Sequence, residues 1–389
     1  MLVNDTRAYH ETKPGHLDTE TTFSMLFTAN YDRTKTGNSY GIILAHEAYA
    51  KRFAGLAVVP RNIHVVTLGP GLGWSDGDFL CELDRIGQDF ECTAIDIAPN
   101  LIENSLLREL MSKGAPIKYV QADAQEIRDV LDDESVDIFI ANEMVGDLLT
   151  LDEIEPELLT CDPGKLGSLT PHHDHVRKLR RMIAQHGIPV DPAQRLAYNL
   201  GGIQLVEDLG SIMRPKSLAF VSEHSCEQPR LVYNGHSLYF IEPERIPNPY
   251  TFGDAEDNHV EYTTRFSDLE IVAKSVGFGC ERGRLVDFIG IRDDTMTIPS
   301  FVLEELMDAR GILASDFVTR VVEPNQHLFP EYATNLQFAN MYILEHPEIL
   351  KQALGMTEAE YGEEIEPRSM PAKQHHGRFE YLIMTKPFL

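Results

Sequence analysis

Between Ile63 and Ala141 the chain alternates short apolar, β-branched runs with stretches of helical periodicity. Ile63 to Leu68, Glu91 to Asp96, Ile117 to Gln121 and Val136 to Ala141 predict four strands. Ser75 to Ile86, Leu101 to Met111 and Asp123 to Leu131 predict the helices between them. Strands that alternate with helices build a parallel, doubly wound α/β sheet. The alternation resumes later, with a helix around Gly202 to Met213, a fifth strand from Leu218 to Ser222 and a helix from Thr264 to Val276. Leu285 to Ile291 predicts a sixth strand and Arg378 to Met384 a seventh.

The remaining segments read as additions to that core. A polar, turn-rich arm leads to a cover helix over Tyr40 to Phe53, whose His46 reads as packed or solvated rather than a ligand. Glu143 to Tyr198 is helical in pattern, acidic early and basic later through Arg177, Lys178, Arg180 and Arg181, as in an inserted lid. Arg230 to Ile246 is a strand-like arm in which Tyr233-Asn234-Gly235-His236 predicts a hairpin turn. Ser300 to Arg368 is helical, broken by Pro324, Pro330 and Pro347. The expected organisation is an arm and cover helix over 1–60, and a core over 61–291 completed by 378–389. A lid over 143–200 and an arm over 226–263 interrupt that core, and a helical insertion spans 292–377.

Composition narrows the function classes. With 43% hydrophobic and 24% charged residues, the 389-residue chain can bury a sizeable core. Its net charge of -27 repels a phosphate backbone, so no nucleic-acid partner is expected, whereas a basic peptide or cationic group is attracted. The five cysteines, Cys81, Cys92, Cys161, Cys226 and Cys280, are dispersed and form no C-x-x-C, which argues against a disulfide framework or a zinc site. His172-His173-Asp174-His175 and His375-His376 invite a metal reading, but adjacent side chains diverge, and no metal is expected. No run has the length of a membrane span, and the first twenty residues lack an apolar core, so a cytoplasmic location is expected.

The chemistry concentrates at Val65-Val66-Thr67-Leu68-Gly69-Pro70-Gly71-Leu72-Gly73. A buried strand ends there in a tight turn of alternating glycines that leads into a helix N-terminus, the form of a nucleotide-type cofactor loop. The spacing is G-x-G-x-G, shorter than the dinucleotide fingerprint. Asp96 closes the second strand, where a carboxylate can accept both ribose hydroxyls, and Asp123 follows the third, where it can meet an adenine amine. Each has a purely local alternative: Asp96 as the cap of a helix near Asn100, and Asp123 with Glu126 as a capping box. Gly69, Pro70, Gly71, Gly73, Asp96, Ile97, Asp123, Ala124 and Asn142 form the expected cofactor set.

Together these features resemble the class I S-adenosylmethionine (SAM) methyltransferases, which implies a Rossmann-like seven-stranded sheet with an antiparallel final strand. Ala141-Asn142-Glu143 with Asp147-Leu148 is similar to the Asn-Glu-x-x-Asp-Ala-Leu segment of the MidA-like family. Tyr233 to His236 resembles that family's Tyr-x-x-His arm, and His259-Val260-Glu261-Tyr262, Phe266 and Leu269 resemble its His-Val-Asp-Phe-x-x-Leu segment. The chain differs at Val221-Ser222-Glu223-His224, where the family carries Ile-Asp-Tyr-Gly, and in having Asp96 for a glutamate. The resemblance implies methyl transfer from SAM to a nitrogen of a protein substrate, arginine in that family. Glu143 and Asp147, on one face if a helix starts there, can hold a guanidinium or simply complement a helix dipole. Glu223 and His224 can supply a base or an acceptor contact, or form a loop pair. A small-molecule acceptor, a non-catalytic SAM-binding assembly factor and, more distantly, a nicotinamide dehydrogenase are the alternatives.

Overall fold

The computed structural model describes residues 1–4, 27–28, 43–57, 62–71, 73–101, 105–190, 196–225, 231–232, 261–291, 296–298, 300–313, 346–371 and 379–387, with a few isolated positions besides. Seven strands form one sheet: β1 (Ile63–Leu68), β2 (Phe90–Asp96), β3 (Ile117–Gln121), β4 (Val136–Asn142), β5 (Met213–His224), β6 (Gly279–Arg284) and β7 (Phe379–Thr385). Their order is β6-β7-β5-β4-β1-β2-β3. β1 to β5 pair in parallel, and β7 runs antiparallel to both β5 and β6. The Rossmann-like methyltransferase sheet expected from the sequence is therefore present.

Alternation along the central strands sorts their side chains onto two cores. Ile138 and Ile140 of β4 and Phe220 of β5 face one layer, and Phe139, Ala141, Ala219 and Val221 face the other. The first layer holds α1 (Ala45–Leu56) and α2 (Trp74–Arg85), with Tyr49, Phe53 and Phe288 packed around Phe220 and Phe79 against Phe53. The opposite layer holds α4 (His173–His186), α5 (Leu200–Ile212) and α6 (Phe266–Ser275). Between β2 and β3 lies α3 (Leu106–Ser112), five residues later in its start than the periodicity predicts. Each fully buried aromatic contributes on the order of 1.5–3 kcal/mol, so the ring cluster fixes α1 firmly against the sheet.

Several expectations are corrected. The sixth strand is Gly279–Arg284, whereas Leu285–Phe288 is a helical turn. Among the described residues β6 is an edge strand paired only with β7, so its sequence is polar, and the apolar run after it is buried among core rings instead. The cover helix is Ala45–Leu56 rather than Tyr40 to Phe53. The fifth strand begins earlier than Leu218, because a register shift between Met213 and Leu218, with Lys216 at φ 68°, carries it past Pro215. The lid is not wholly helical: Thr150–Ile154 pairs antiparallel with both Leu2–Asn4 and Leu196–Asn199. Among the described residues no helix is long and apolar enough to cross a membrane. The hairpin at Tyr233 to His236, the His259-Val260 pair and His375-His376 lie outside the described residues.

Candidate functional site

In the sheet order β1 lies between β4 and β2, and the chain runs outward to β3 before returning to β4. That reversal opens a crevice at the carboxyl ends of β1 and β4, the place where open α/β sheets bind ligands. The glycine turn and Asn142 flank it. The Gly69 N–H donates to the Ile95 carbonyl at 2.9 Å and the Gly73 N–H to the Pro70 carbonyl at 2.7 Å, which closes the turn before α2 begins. Gly69, Gly71 and Gly73 all have positive φ, at 60°, 51° and 64°.

The glycines differ in what surrounds them. A Cβ at Gly73 would lie 2.8 Å from Leu107 Cγ, so that glycine permits α2 and α3 to approach. Among the described residues, its chain neighbours apart, a Cβ at Gly71 would meet no atom within 4 Å. The space beside Gly71 is thus open at the mouth of the crevice, as a cofactor lying along this turn requires.

Both predicted acids sit at the same edge. Asp96 ends β2, and its Oδ1 accepts from the Ala98 N–H at 3.0 Å. It shapes the turn after β2 and does not cap α3, which starts ten residues later. Ile97 lies in that turn, and its carbonyl accepts from Gln121 Nε2 at 3.1 Å. Asp123 caps the short helix at Ala124–Glu126 through the Gln125 N–H at 2.8 Å, and its other oxygen lies 3.4 Å from the Arg7 guanidinium. Ala124 is buried beneath it.

Beneath the turn lies a polar network that sequence reasoning missed. Thr67 Oγ1 of β1 donates to Asp76 Oδ1 of α2 at 2.5 Å, and both residues are buried. Burial pushes the Asp76 carboxyl up to about 6 against the opposing hydrogen bonds of Thr67 and Ser75. Asn142 closes β4, with its Oδ1 accepting from Ser222 Oγ at 2.7 Å and its Nδ2 3.5 Å from Ser75 Oγ. The Tyr49 hydroxyl of α1 is buried nearby, and burial with the Asp76 charge raises its pKa well above the usual value. The one sequence signal was Asp76 in the first turn of a helix, which reads as an ordinary dipole complement.

After β4 the expected helix carrying Glu143 and Asp147 on one face does not form. Glu143 takes φ 51°, and a single 3-10 turn, Val145–Asp147, follows. Glu143 and Asp147 are both partly buried at the crevice rim. Two side chains fix the turn from beneath. Asn199 Nδ2 donates to the Val145 carbonyl at 2.6 Å while its Oδ1 caps α5 through the Gly202 N–H at 2.7 Å. Glu223 is fully buried and accepts from the Gly146 N–H at 2.9 Å and the His224 N–H at 2.8 Å. Burial, opposed by these hydrogen bonds, pushes its carboxyl up to about 8. Glu223 thus braces the turn from the buried side. His224 packs edge-on against Phe379 at 4.7 Å, and burial pulls its imidazole down to about 4, which keeps it neutral.

The model for the family described as a methyltransferase domain matches residues 69–158, from the first glycine of the turn into the lid. No curated protein matches the sequence. Among solved structures, a Burkholderia thailandensis protein bound to S-adenosyl-homocysteine is similar at 12% identity and TM-score 0.43, over 87% of this chain and 76% of its own. Phosphoethanolamine N-methyltransferase 2 of Haemonchus contortus, in complex with SAM, is similar at 10% identity and TM-score 0.38 over 87% of this chain. The chain spans about half of that protein, 52% of its length. The matched stretch contains the turn, Asp96, Asp123 and Asn142, so it covers most of the residues that flank the crevice.

Proposed function

We propose that the protein is a SAM-dependent methyltransferase that transfers the methyl group to a nitrogen of a protein substrate, with arginine the acceptor suggested by the MidA-like resemblance. The observation that carries the cofactor is the glycine turn beside the switch point, with open space at Gly71 and with Asp96 and Asp123 closing the adjoining strands. Gly69, Pro70, Gly71 and Gly73 would hold the amino-acid part, Asp96 and Ile97 the ribose, and Asp123 and Ala124 the adenine edge. Asn142, locked by Ser222, would bound the reacting end.

When bound, SAM supplies an electrophilic methyl group on a positively charged sulfur. Displacement at such a carbon is in-line, so most of the catalysis falls to positioning, and rigid supports matter more than reactive groups. The fixed turn at Val145–Asp147 meets that need, because Glu223 and Asn199 hold its backbone from the buried side. Glu143 and Asp147, at the rim of this turn, would orient a cationic acceptor, and the net charge of -27 favours approach of a basic peptide. His224 stays neutral and acceptor-capable at the end of β5.

Calorimetry with SAM tests the cofactor. Tritiated-methyl transfer into an arginine-rich peptide and into phosphoethanolamine tests the acceptor. Binding with label in the peptide is expected. Label only in the small amine would replace the protein acceptor, binding without product would point to an assembly factor, and absence of SAM binding would overturn the whole reading.

A further inference from the structure

We infer that His46 and Asp78 form a proton-accepting pair on the acceptor side of the crevice. The inference rests on the methyltransferase reading above and adds residues outside its glycine turn and strand ends.

The pair is placed by α1 and α2, which pack against each other. His46, Tyr49 and Phe53 recur at i, i+3 and i+7 along α1 and share its inner face. Phe53 packs on Phe79, midway along α2, at 5.0 Å. Tyr49 meets Phe220 of β5 at 4.8 Å. One turn earlier, a rise of about 4.5 Å, His46 meets the first turns of α2. Its ring centroid is 6.0 Å from that of Trp74, and its Nδ1 is 2.5 Å from Asp78 Oδ2. Trp74 and Asp78 stand four apart on one face of α2, immediately after Gly73. The imidazole therefore lies beside the first turns of α2, next to the glycine turn.

The chemistry of the pair sets the proton. An ionised carboxylate only accepts, so Asp78 fixes the proton of a neutral His46 on Nδ1 and leaves the lone pair on Nε2. Among the described residues Nε2 has no hydrogen-bond partner, although the side chain is only 10% exposed. A carboxylate that orients an imidazole in this way is the arrangement that general-base histidines use. A tie between helices would need the Nδ1 bond alone. An acceptor nitrogen gains the methyl carbon while the sulfonium sulfur keeps the bonding pair, and it must then shed one proton. Nε2 takes that proton, and Asp78 stabilises the imidazolium that results. The acceptor class this fits is an amine or guanidine N–H presented from above α1, not a preformed carbanion. Asp78 is the positioning residue.

The test uses the wild-type protein with nitrogen-15-labelled histidine, read by NMR alone, with SAM and with S-adenosylhomocysteine. These two ligands differ by the reacting methyl and one positive charge. The expected result is a His46 ring protonated at Nδ1 and bare at Nε2, whose Nε2 resonance differs between the two complexes. Asp78→Asn should abolish the single tautomer without changing SAM affinity. A proton found on Nε2, or identical His46 signals in the two complexes, overturns the inference. Absence of binding by either ligand in calorimetry instead overturns the reading on which it rests.

Discussion

The Gly146 N–H donates to the Glu223 carboxylate at 2.9 Å, joining the turn after β4 to the end of β5 from within the core. Neither residue reaches solvent through that contact, for Glu223 is 0% exposed. The turn after β4 is thus set by a buried side chain from a different strand. Glu223→Ala removes the acceptor of two backbone N–H groups and leaves a cavity, so unfolding by urea should show a loss of about 2–4 kcal/mol. Glu223→Gln keeps the volume and one acceptor and should lose about half as much. An alanine variant as stable as wild type would show that the turn holds itself.

The glycine turn offers a separation of fold from binding. Gly71→Ala places its Cβ in open space, so its cost to the fold is the left-handed backbone alone, about 1 kcal/mol. Its SAM affinity should fall far more than its stability. Gly73→Ala drives a Cβ to 2.8 Å from Leu107 and adds a packing clash to the same backbone strain. Thermal unfolding should therefore rank Gly73→Ala as the less stable, with calorimetry ranking Gly71→Ala as the more specifically impaired in binding. The reverse order in both measurements would remove Gly71 from the cofactor face.

The strands that build this site were legible because parallel, doubly covered strands read as apolar runs. β1 and β3 match their predicted limits residue for residue. β6 was missed for the opposite reason: as an edge strand it carries Glu281, Arg282 and Arg284, while the apolar Leu285–Phe288 turn lies in the core. Asp96 and Asp123 were visible because each sits next to its strand end in sequence. His46 with Asp78 was not, because the pair is joined only when α1 packs beside α2. Position along β5 placed Glu223 at the site but could not tell which sheet face it takes, and that face decides between touching an acceptor and bracing a turn.

Asp76 gives the fold a pH dependence with a defined sign. Its folded pKa, about 6, lies above its ordinary value of 3.8 because burial disfavours the ionised form. The folded state therefore binds this proton more tightly than the unfolded state. The resulting stability is fully present below pH 3.8, declines as pH rises, and is lost above pH 6. Over that window the difference corresponds to on the order of 3 kcal/mol. Urea unfolding of wild type and Asp76→Asn at pH 4.5 and 7 should show a smaller loss of stability with rising pH in the variant. Equal slopes in the two proteins would place the titrating group elsewhere.

Asp96 separates the two roles that a carboxylate at the end of β2 can have. Its Oδ1 accepts from the Ala98 N–H at 3.0 Å, so part of its work is to shape the turn. A ribose contact would use the carboxylate as an acceptor for two hydroxyls, and a charged acceptor bond contributes about 1.5–3 kcal/mol. Asp96→Asn retains a carbonyl oxygen for Ala98 but gives up the second acceptor. Stability should change by less than about 1 kcal/mol, whereas SAM affinity should fall by about 10–100-fold. Adenosine alone should lose the same factor, because the contact is to the ribose, and methionine competition should be unaffected. If affinity for SAM and for adenosine survives the substitution, Asp96 is a turn-former only and the ribose must be held by backbone groups of Ile97 and Ala98.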